Sequence, residues 1–181
     1  MRPLIRQSQI DQAVECLKKG GLVAIPTETV YGLAANAMDS DAVKKIFALK
    51  GRPADHPLIV HIASADFLSQ WATNIPEIAY QLANQFWPGP LTMILNKRED
   101  VPSIVTGGQN TIGLRCPNNA ITLELLRQFG GGLAAPSANR FGHVSPTTAQ
   151  HVQDEFAEQT PLILDGGACK IGIESTIVDL S

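Results

Sequence analysis

The sequence of 181 residues has few of the features that define several protein classes. Its three cysteines are odd in number, lie far apart and form no C-x-x-C pair, which argues against a disulfide framework or a structural zinc site and favours a reducing compartment. Aromatic residues make up only 6% of the chain and the formal net charge is −3. The chain therefore lacks the global basic excess that drives non-specific binding to nucleic acids, although a locally positive cleft remains compatible with it.

Long apolar runs are also missing. No stretch approaches the ~20 residues that a membrane helix needs, and the N-terminus lacks the apolar segment of a signal peptide, so we predict a cytoplasmic protein without membrane contact. Walker A and G-x-G-x-x-G, the two commonest nucleotide-binding motifs, are absent. With 44% hydrophobic and 17% charged residues, the composition is that of one globular domain over residues 1–181.

Polar residues follow two short apolar runs that are typical of buried strands. Residues 22–26 lead into T-E-T-V-Y-G-L, and residues 133–136 lead into S-A-N. Open α/β sheets bind ligands at the carboxyl ends of their strands, so Thr27, Ser137 and Asn139 are candidate contacts. The alternative for Thr27 is a turn whose threonines only cap backbone groups. Ser137 is not interpreted as a nucleophile, because neither G-x-S-x-G nor a Ser-His-Asp order is present.

Two cations lie at the end of a predicted helix. The helix begins after Asp39 or Ser40 and stops at Gly51, which places Lys50 in its last turn and Arg52 just beyond. Both are candidate anion contacts. The alternative is that they are solvated and only complement the helix dipole.

The clearest alternating strand is T-I-G-L-R-C. Thr111, Gly113 and Arg115 share one face of it, and the space at Gly113 would suit a carboxylate or phosphate bound by the arginine fork. The alternative is a surface arginine on an exposed sheet face. In the strand L-I-V-H-I, His61 shares a face with Ile59, where a lone histidine is more often a core residue than a ligand contact.

Two further segments carry structural predictions. Ser145-Pro146 predicts the N-cap and first residue of a helix, and a helix N-terminus is a ready site for a phosphate oxygen. Residues 101–109, which include Pro102 and Gly107-Gly108, predict a loop and a candidate mobile segment.

A series of ordered motifs resembles the YrdC/TsaC family of threonylcarbamoyl-AMP synthases. The resemblance covers nearly the whole chain through P-T-E-T-V-Y-G-L, K-G-R-P, P-L-I-V-H-I, W-P-G-P-L-T, G-L-R-C-P, A-P-S-A-N, S-P-T, I-L-D-G-G and E-S-T-I-V-D. It implies a single-domain α/β fold, with a twisted mixed sheet and flanking helices around a concave, positively charged cavity.

The resemblance also implies an activity. Such enzymes condense L-threonine, bicarbonate and ATP into L-threonylcarbamoyl-AMP and diphosphate, a nucleotidyltransferase reaction in which Mg²⁺ accompanies the nucleotide. Their product feeds threonylcarbamoyladenosine formation at position 37 of tRNA. The expected partners are therefore tRNA-modification proteins that use the adenylate, with possible direct RNA contact.

The motifs transfer roles to individual residues of this chain without implying a metal ligand. Lys50 and Arg52 would be catalytic. The remaining expected contacts are Thr27, His61, Thr111, Arg115 and Ser175 for the substrate, and Arg52, His56, Ser137, Asn139 and Ser145 for the nucleotide. Chains of this kind usually continue past E-S-T-I-V-D into a segment whose arginine reaches the nucleotide, whereas this sequence ends at Ser181, which bears on nucleotide affinity.

Two other functions remain open from the residues. One is an RNA-binding module that uses the same cationic cleft, although the acidic balance and few aromatic residues argue against it. The other is a carbamoyl-transfer relative of the same fold, which would accept carbamoyl phosphate and be indifferent to threonine.

Overall fold

The computed structural model describes residues 7–181, and over that range eight strands form one mixed sheet. The strands are β1 Val23–Ile25, β2 Gly32–Asn36, β3 Ile59–His61, β4 Leu91–Asn96, β5 Thr111–Arg115, β6 Leu133–Ala134, β7 Leu162–Ile163 and β8 Thr176–Asp179. Their order across the sheet is β7-β1-β2-β6-β3-β5-β4-β8. The predicted α/β fold with a mixed sheet is confirmed.

Parallel and antiparallel pairs both occur. The pairs β1–β7, β3–β5 and β4–β8 are parallel, whereas β1–β2, β2–β6, β3–β6 and β4–β5 are antiparallel. Between β3 and β5, Ile59 lies opposite Gly113 and His61 opposite Arg115. Because side chains alternate along a strand and neighbours in register share a face, these four residues lie on one face of the sheet.

Six α-helices flank the sheet over the same range: α1 Gln7–Lys18, α2 Ser40–Lys50, α3 Leu68–Trp71, α4 Glu77–Phe86, α5 Ala120–Phe129 and α6 Ala149–Phe156. Both predicted ends of α2 are confirmed. The Asp39 side chain accepts from the first backbone amides of the helix, and Gly51 ends it in the left-handed conformation at φ 61°. In the described part of the chain, none of the helices has the length and apolar character that crossing a bilayer requires.

The two halves of the sheet are covered differently. In β1, Val23 and Ile25 pack with α1 and α5 on one side, while Ala24 enters a second core on the other. Burial on both sides explains why this strand is an unbroken apolar run. In β3, β5 and β4, one face enters the second core, through residues such as Val60, Leu114 and Met93. The opposite face of these strands carries His61, Gly113 and Arg115 and forms the floor of the candidate site.

The chain before α6 differs from the prediction. The N-cap of α6 is Thr148, three residues after Ser145. The intervening Pro146 is outside the helix, and its carbonyl accepts a hydrogen bond of 2.8 Å from the backbone N–H of Tyr31. A contact with a distant part of the chain thus holds this segment out of the helix. The prediction that a helix begins at Ser145 is wrong, whereas binding of a phosphate by Ser145 stays a prediction.

Candidate functional site

Arg115 is buried at the carboxyl end of β5, with only 4% of its surface exposed. Its guanidinium forms an ion pair with the carboxylate of Glu28, donates from Nη2 to the Thr29 hydroxyl at 3.1 Å and donates from Nε to the Gly89 carbonyl at 3.3 Å. Burial lowers the pKa of Arg115, and Glu28 opposes that effect. The alternative of a solvated surface arginine is therefore wrong.

Glu28 is itself held on both oxygens. Oε1 pairs with Arg115, and Oε2 accepts from the backbone N–H of Asn118 at 2.6 Å. Within residues 7–181, Nη1 of Arg115 has no hydrogen-bond partner, whereas Nε and Nη2 do. The protein therefore fixes two nitrogens of the guanidinium and leaves the third for a ligand.

The Thr27 hydroxyl belongs to its own turn. It accepts from the backbone amides of Thr29 and Val30 at 3.1 Å each and lies 2.6 Å from the Val30 carbonyl. This is the arrangement that the turn alternative describes. Thr29, two residues later, contacts Arg115 instead. Binding of the threonine substrate by Thr27 stays a prediction.

His61 lies beside Arg115 in the β3–β5 ladder and is 3% exposed. Burial, reinforced by the positive charge of Arg115, lowers the pKa of His61 to about 3. The imidazole is therefore neutral at physiological pH. Its Nδ1 is buried without a hydrogen bond of good geometry, which distinguishes His61 from a core histidine whose polar atoms are satisfied.

Lys50 is 2% exposed, so it is not a solvated cation at the end of a helix. Its Nζ donates to the backbone carbonyls of Ser137 and Asn139, at 2.5 Å each. Burial, with repulsion from Arg52, lowers the pKa of Lys50 to about 8. Lys50 thus joins the end of α2 to the S-A-N segment that follows β6, and the two predicted nucleotide-binding regions meet.

Asn139 in that segment is nearly completely buried. Its Nδ2 donates to the carbonyls of Arg140 at 2.9 Å and His143 at 2.8 Å, whereas its Oδ1 is buried without a partner. Ser137 forms an isolated backbone bridge with Gly32, the first residue of β2, which directly follows the T-E-T-V-Y turn. The two strand-end segments singled out in the sequence therefore lie side by side.

Arg52 and His56 lie on the loop after α2. Nη2 of Arg52 donates to the Pro57 carbonyl at 3.0 Å, and its Nε is buried without a partner. The ring of His56 meets the ring of Phe141 edge to face, with 5.3 Å between centroids. Because the backbone N–H of Phe141 donates to the Lys50 carbonyl at 2.7 Å, this loop lies beside the Lys50 region.

Ser145 and Ser175 are connected through the closing segment of the chain. The Ser145 hydroxyl donates to Oε1 of Glu174 at 2.7 Å, and the Ser175 hydroxyl lies 2.8 Å from that of Thr92 on β4. Two backbone amides of the same segment, those of residues 171 and 172, donate to the carbonyls of residues 28 and 29 at 2.9 and 3.0 Å. The segment therefore crosses the T-E-T turn.

The negative charge of Glu174 raises the pKa of both Lys50 and Arg115 against the effect of their burial. Glu174 thus acts electrostatically on one cation of the predicted nucleotide region and on one of the predicted threonine region. Thr111 is the outlier: it begins β5, about 13 Å along the strand from Arg115, and its hydroxyl is 3.5 Å from Oε1 of Gln109.

The predicted positive cavity remains a prediction. A cleft of about 610 Å³ lies between α4 and α5, and it is lined by residues such as Tyr80, Trp87 and Arg127 rather than by any predicted site residue. Around the site itself, the carboxylates of Glu28 and Glu174 offset part of the positive charge.

Four side chains in the site were given no individual binding or catalytic role by the resemblance: Glu28, Thr29, Thr92 and Glu174. A signal existed for three of them, because they belong to the motifs T-E-T and E-S-T that also contain predicted contacts. Thr92 lies in the apolar run L-T-M-I-L and had no such signal.

Comparison with known proteins places these features in a family. The family model Sua5_yciO_yrdC, described as "Telomere recombination", matches residues 15–181. The threonylcarbamoyl-AMP synthase of Pyrococcus abyssi is 51% identical over 181 residues, which are 100% of this chain and 53% of that protein. The Bacillus subtilis enzyme of the same name is 48% identical over 171 residues, which are 94% of this chain and 49% of that protein.

A solved structure agrees with these relatives. The structure of P. abyssi Sua5 complexed with L-threonine superimposes with a TM-score of 0.96 at 51% identity, over 99% of this chain and 53% of that one. The chain thus spans about half the length of the curated relatives named above. The resemblance to the YrdC/TsaC family is confirmed, and the chain belongs to the Sua5/YciO/YrdC family.

Proposed function

We propose that this chain is an L-threonylcarbamoyladenylate synthase, which condenses L-threonine, bicarbonate and ATP into L-threonylcarbamoyl-AMP and diphosphate. The observation that carries the proposal is the position of Glu174. It accepts from Ser145, a predicted nucleotide contact, and its negative charge raises the pKa of both Lys50 and Arg115. One carboxylate therefore links residues expected to bind ATP with a residue expected to bind threonine. The names of the similar proteins support the same activity.

The reaction requires positioning more than a protein nucleophile. The threonine amine and bicarbonate form a carbamate with loss of water. A carbamate oxygen then bonds to the α-phosphorus as the bond to the diphosphate oxygen breaks. Such a phosphoryl transfer depends on alignment and on neutralisation of charge on the phosphate oxygens. Lys50, whose pKa of about 8 leaves it mostly protonated at pH 7, and Arg52 would supply that positive charge.

Arg115 and His61 would hold the amino acid. We assign the threonine carboxylate to Nη1 of Arg115, because the protein already engages Nε and Nη2. His61, with a pKa of about 3, is neutral at pH 7, so it would act as a hydrogen-bonding group and not as a proton donor in its cationic form. Ser175 and Thr27 remain predicted contacts of the same substrate.

On the nucleotide side, the buried groups without partners fit a polar ligand. Nε of Arg52 is a donor, and Oδ1 of Asn139 is an acceptor. A buried polar group is costly unless it is hydrogen-bonded, so ATP would satisfy both. Ser137, Ser145 and His56 would complete the contacts, and Thr111 would have to reach the ligand from the start of β5.

Three finer predictions belong to the same proposal. Mg²⁺ would arrive with ATP, since this ion commonly keeps several waters and binds through substrate phosphates. The adenylate would pass to proteins that modify position 37 of tRNA, with possible direct RNA contact. A cytoplasmic location would place the chain with its ATP and tRNA.

The direct test is release of diphosphate by the purified chain with ATP, Mg²⁺, bicarbonate and L-threonine, with the adenylate identified by mass spectrometry. We expect release to stop when threonine or bicarbonate is omitted. Equal release without threonine, or with carbamoyl phosphate in place of bicarbonate and threonine, would instead favour the carbamoyl-transfer alternative. Tight, steeply salt-dependent RNA binding without release would favour the RNA-binding alternative.

A further inference from the structure

Apart from the contact between the rings of His56 and Phe141, the loop that carries Arg52 and His56 has few long-range contacts that fix its position. Most of its hydrogen bonds are local: Arg52 Nη2 donates to the carbonyl of Pro57, and the backbone N–H of His56 donates to the carbonyl of Pro53. Local bonds give the loop a shape but do not place it relative to the sheet.

The loop is placed by residues 103–107, which we call the brace. The backbone N–H of Leu58, at the end of the loop, donates to the Val105 carbonyl at 2.8 Å. Val105 is completely buried, and the buried Thr106 lies 2.9 Å through its hydroxyl from the carbonyl of Gln109. The brace therefore belongs to the core, although the sequence predicted a mobile segment there.

Gly107 lies where the brace meets the loop most closely. A Cβ at this position would lie 2.2 Å from the backbone oxygen of Asp55 and 3.2 Å from the nitrogen of Pro57. Distances under 3 Å to backbone atoms cannot be relieved by turning a flexible side chain, so a larger residue must change the spacing between the brace and the loop that joins Arg52 to His56.

We propose that Gly107 is a positioning residue for the nucleotide, because its missing side chain lets the brace set the position of the loop that carries Arg52 and His56. The inference rests on the proposed function, since it concerns the ATP half of the site. The 51–58 segment contacts the brace directly, whereas the positions of Arg115 and His61 are set by β5 and β3. Disturbing the brace should therefore affect ATP more than threonine.

The chain contains a matched control. Gly107 and Gly108 both have positive φ, at 58° and 80°, so an L side chain is strained at either position. Only Gly107 is crowded, because a Cβ on Gly108 would have nothing within 4 Å. Comparing Gly107→Ala with Gly108→Ala separates the close approach from backbone strain.

The experiment measures ATP and L-threonine binding by calorimetry, together with steady-state diphosphate release, for the wild type and both variants. We expect Gly107→Ala to lower kcat/KM for ATP by about 100-fold, the scale of an ångström of misplacement, and to leave threonine affinity within about twofold. Gly108→Ala should keep ATP affinity near the wild-type value, although its strained backbone lowers the stability of the chain.

Equal ATP affinity in both glycine variants would overturn the inference, as would an equal loss of ATP and threonine binding in Gly107→Ala. If Gly107→Ala does not fold, Thr106→Val, which removes the hydroxyl contacts of the brace, should weaken ATP binding without weakening threonine binding; unchanged ATP binding there would also overturn it. A wild-type chain that binds ATP but forms no adenylate would contradict the proposed function. The calorimetric comparison of ATP and threonine binding would still test the role of Gly107 in that case.

Discussion

The cations in the two halves of the candidate site have different kinds of partner. On the proposed threonine side, buried Arg115 is paired with the buried carboxylate of Glu28. On the proposed nucleotide side, the hydrogen bonds of Lys50 and Arg52 within residues 7–181 go to backbone carbonyls only, and the charges of Glu155 and Glu174 act on Lys50 without a hydrogen bond to it. A pocket with compensated charge suits an amino acid that carries no net charge, whereas cations without a paired carboxylate suit a triphosphate.

The largest effect should come from separating the buried ion pair. Glu28→Ala leaves the Arg115 guanidinium buried without its carboxylate, so we expect the free energy of unfolding to fall by about 3–5 kcal/mol. Urea unfolding of the wild type and the variant measures this loss of stability. The control is Asp100→Ala, which removes the partner of Arg98 in an exposed ion pair and should cost less than about 1 kcal/mol. Equal losses would show that the charge of Arg115 does not depend on Glu28.

The next effect concerns the nucleotide half. Lys50→Met keeps most of the side-chain volume but removes the positive charge, and we expect kcat to fall by about 100-fold because a charge near the phosphates is lost in the transition state. Steady-state diphosphate release measures it. Lys44→Met is the control, because Lys44 is exposed on the same helix and pairs only with Asp41. A similar fall in both variants would mean that Lys50 does not act at the phosphates.

The sequence predicted elements more reliably than it predicted partners. The strands and the ends of α2 follow from local signals, such as the unbroken apolar run of β1, the Asp39 cap and Gly51. The pairing of Glu28 with Arg115 joins residues 87 positions apart, and spacing carries no information on such a contact. The same reason explains why the sequence left a solvated Lys50 as an alternative: its acceptors are backbone carbonyls far along the chain.

The error at Ser145 has a similar origin. A serine followed by proline is a good local signal for the start of a helix. The carbonyl of Pro146 accepts instead from the backbone of Tyr31, and α6 starts after Thr148. In this part of the site, a long-range backbone contact overrides the local preference, and the Ser145 hydroxyl binds Glu174 instead of capping a helix.

A smaller effect is expected from a substitution in the proposed threonine half, which should change the KM for threonine and leave the KM for ATP nearly unchanged. Arg115→Lys keeps a positive charge near Glu28 but loses the planar fork, so the third donor no longer faces the ligand. We expect the KM for threonine to rise by about tenfold, on the scale of one charge-assisted hydrogen bond, while the KM for ATP changes little. Kinetics with each substrate varied in turn measure both. A parallel rise in both constants would contradict the division of the site.

The smallest effect is a pH dependence confined to the nucleotide half. The pKa of Lys50 is lowered to about 8, so its charge is lost as pH rises through that value, whereas ATP phosphates are already ionised. We expect calorimetric ATP affinity to fall about fivefold between pH 8 and 9, and to stay constant in Lys50→Met. An equal decline in that variant would assign the titration to another group.

Unfolding linked to Lys50 does not explain such a decline, because the titration of Lys50 affects stability with the opposite sign. The unfolded chain keeps the Lys50 proton up to an ordinary pKa of 10.5, so between about pH 8 and 10.5 it binds more protons than the folded chain. The contribution of Lys50 to the free energy of unfolding therefore increases with pH over the interval in which ATP affinity falls. Urea unfolding of the wild type and Lys50→Met at pH 8 and 9 should show this difference, and a wild-type stability that falls faster than that of the variant would contradict the buried, partly deprotonated lysine.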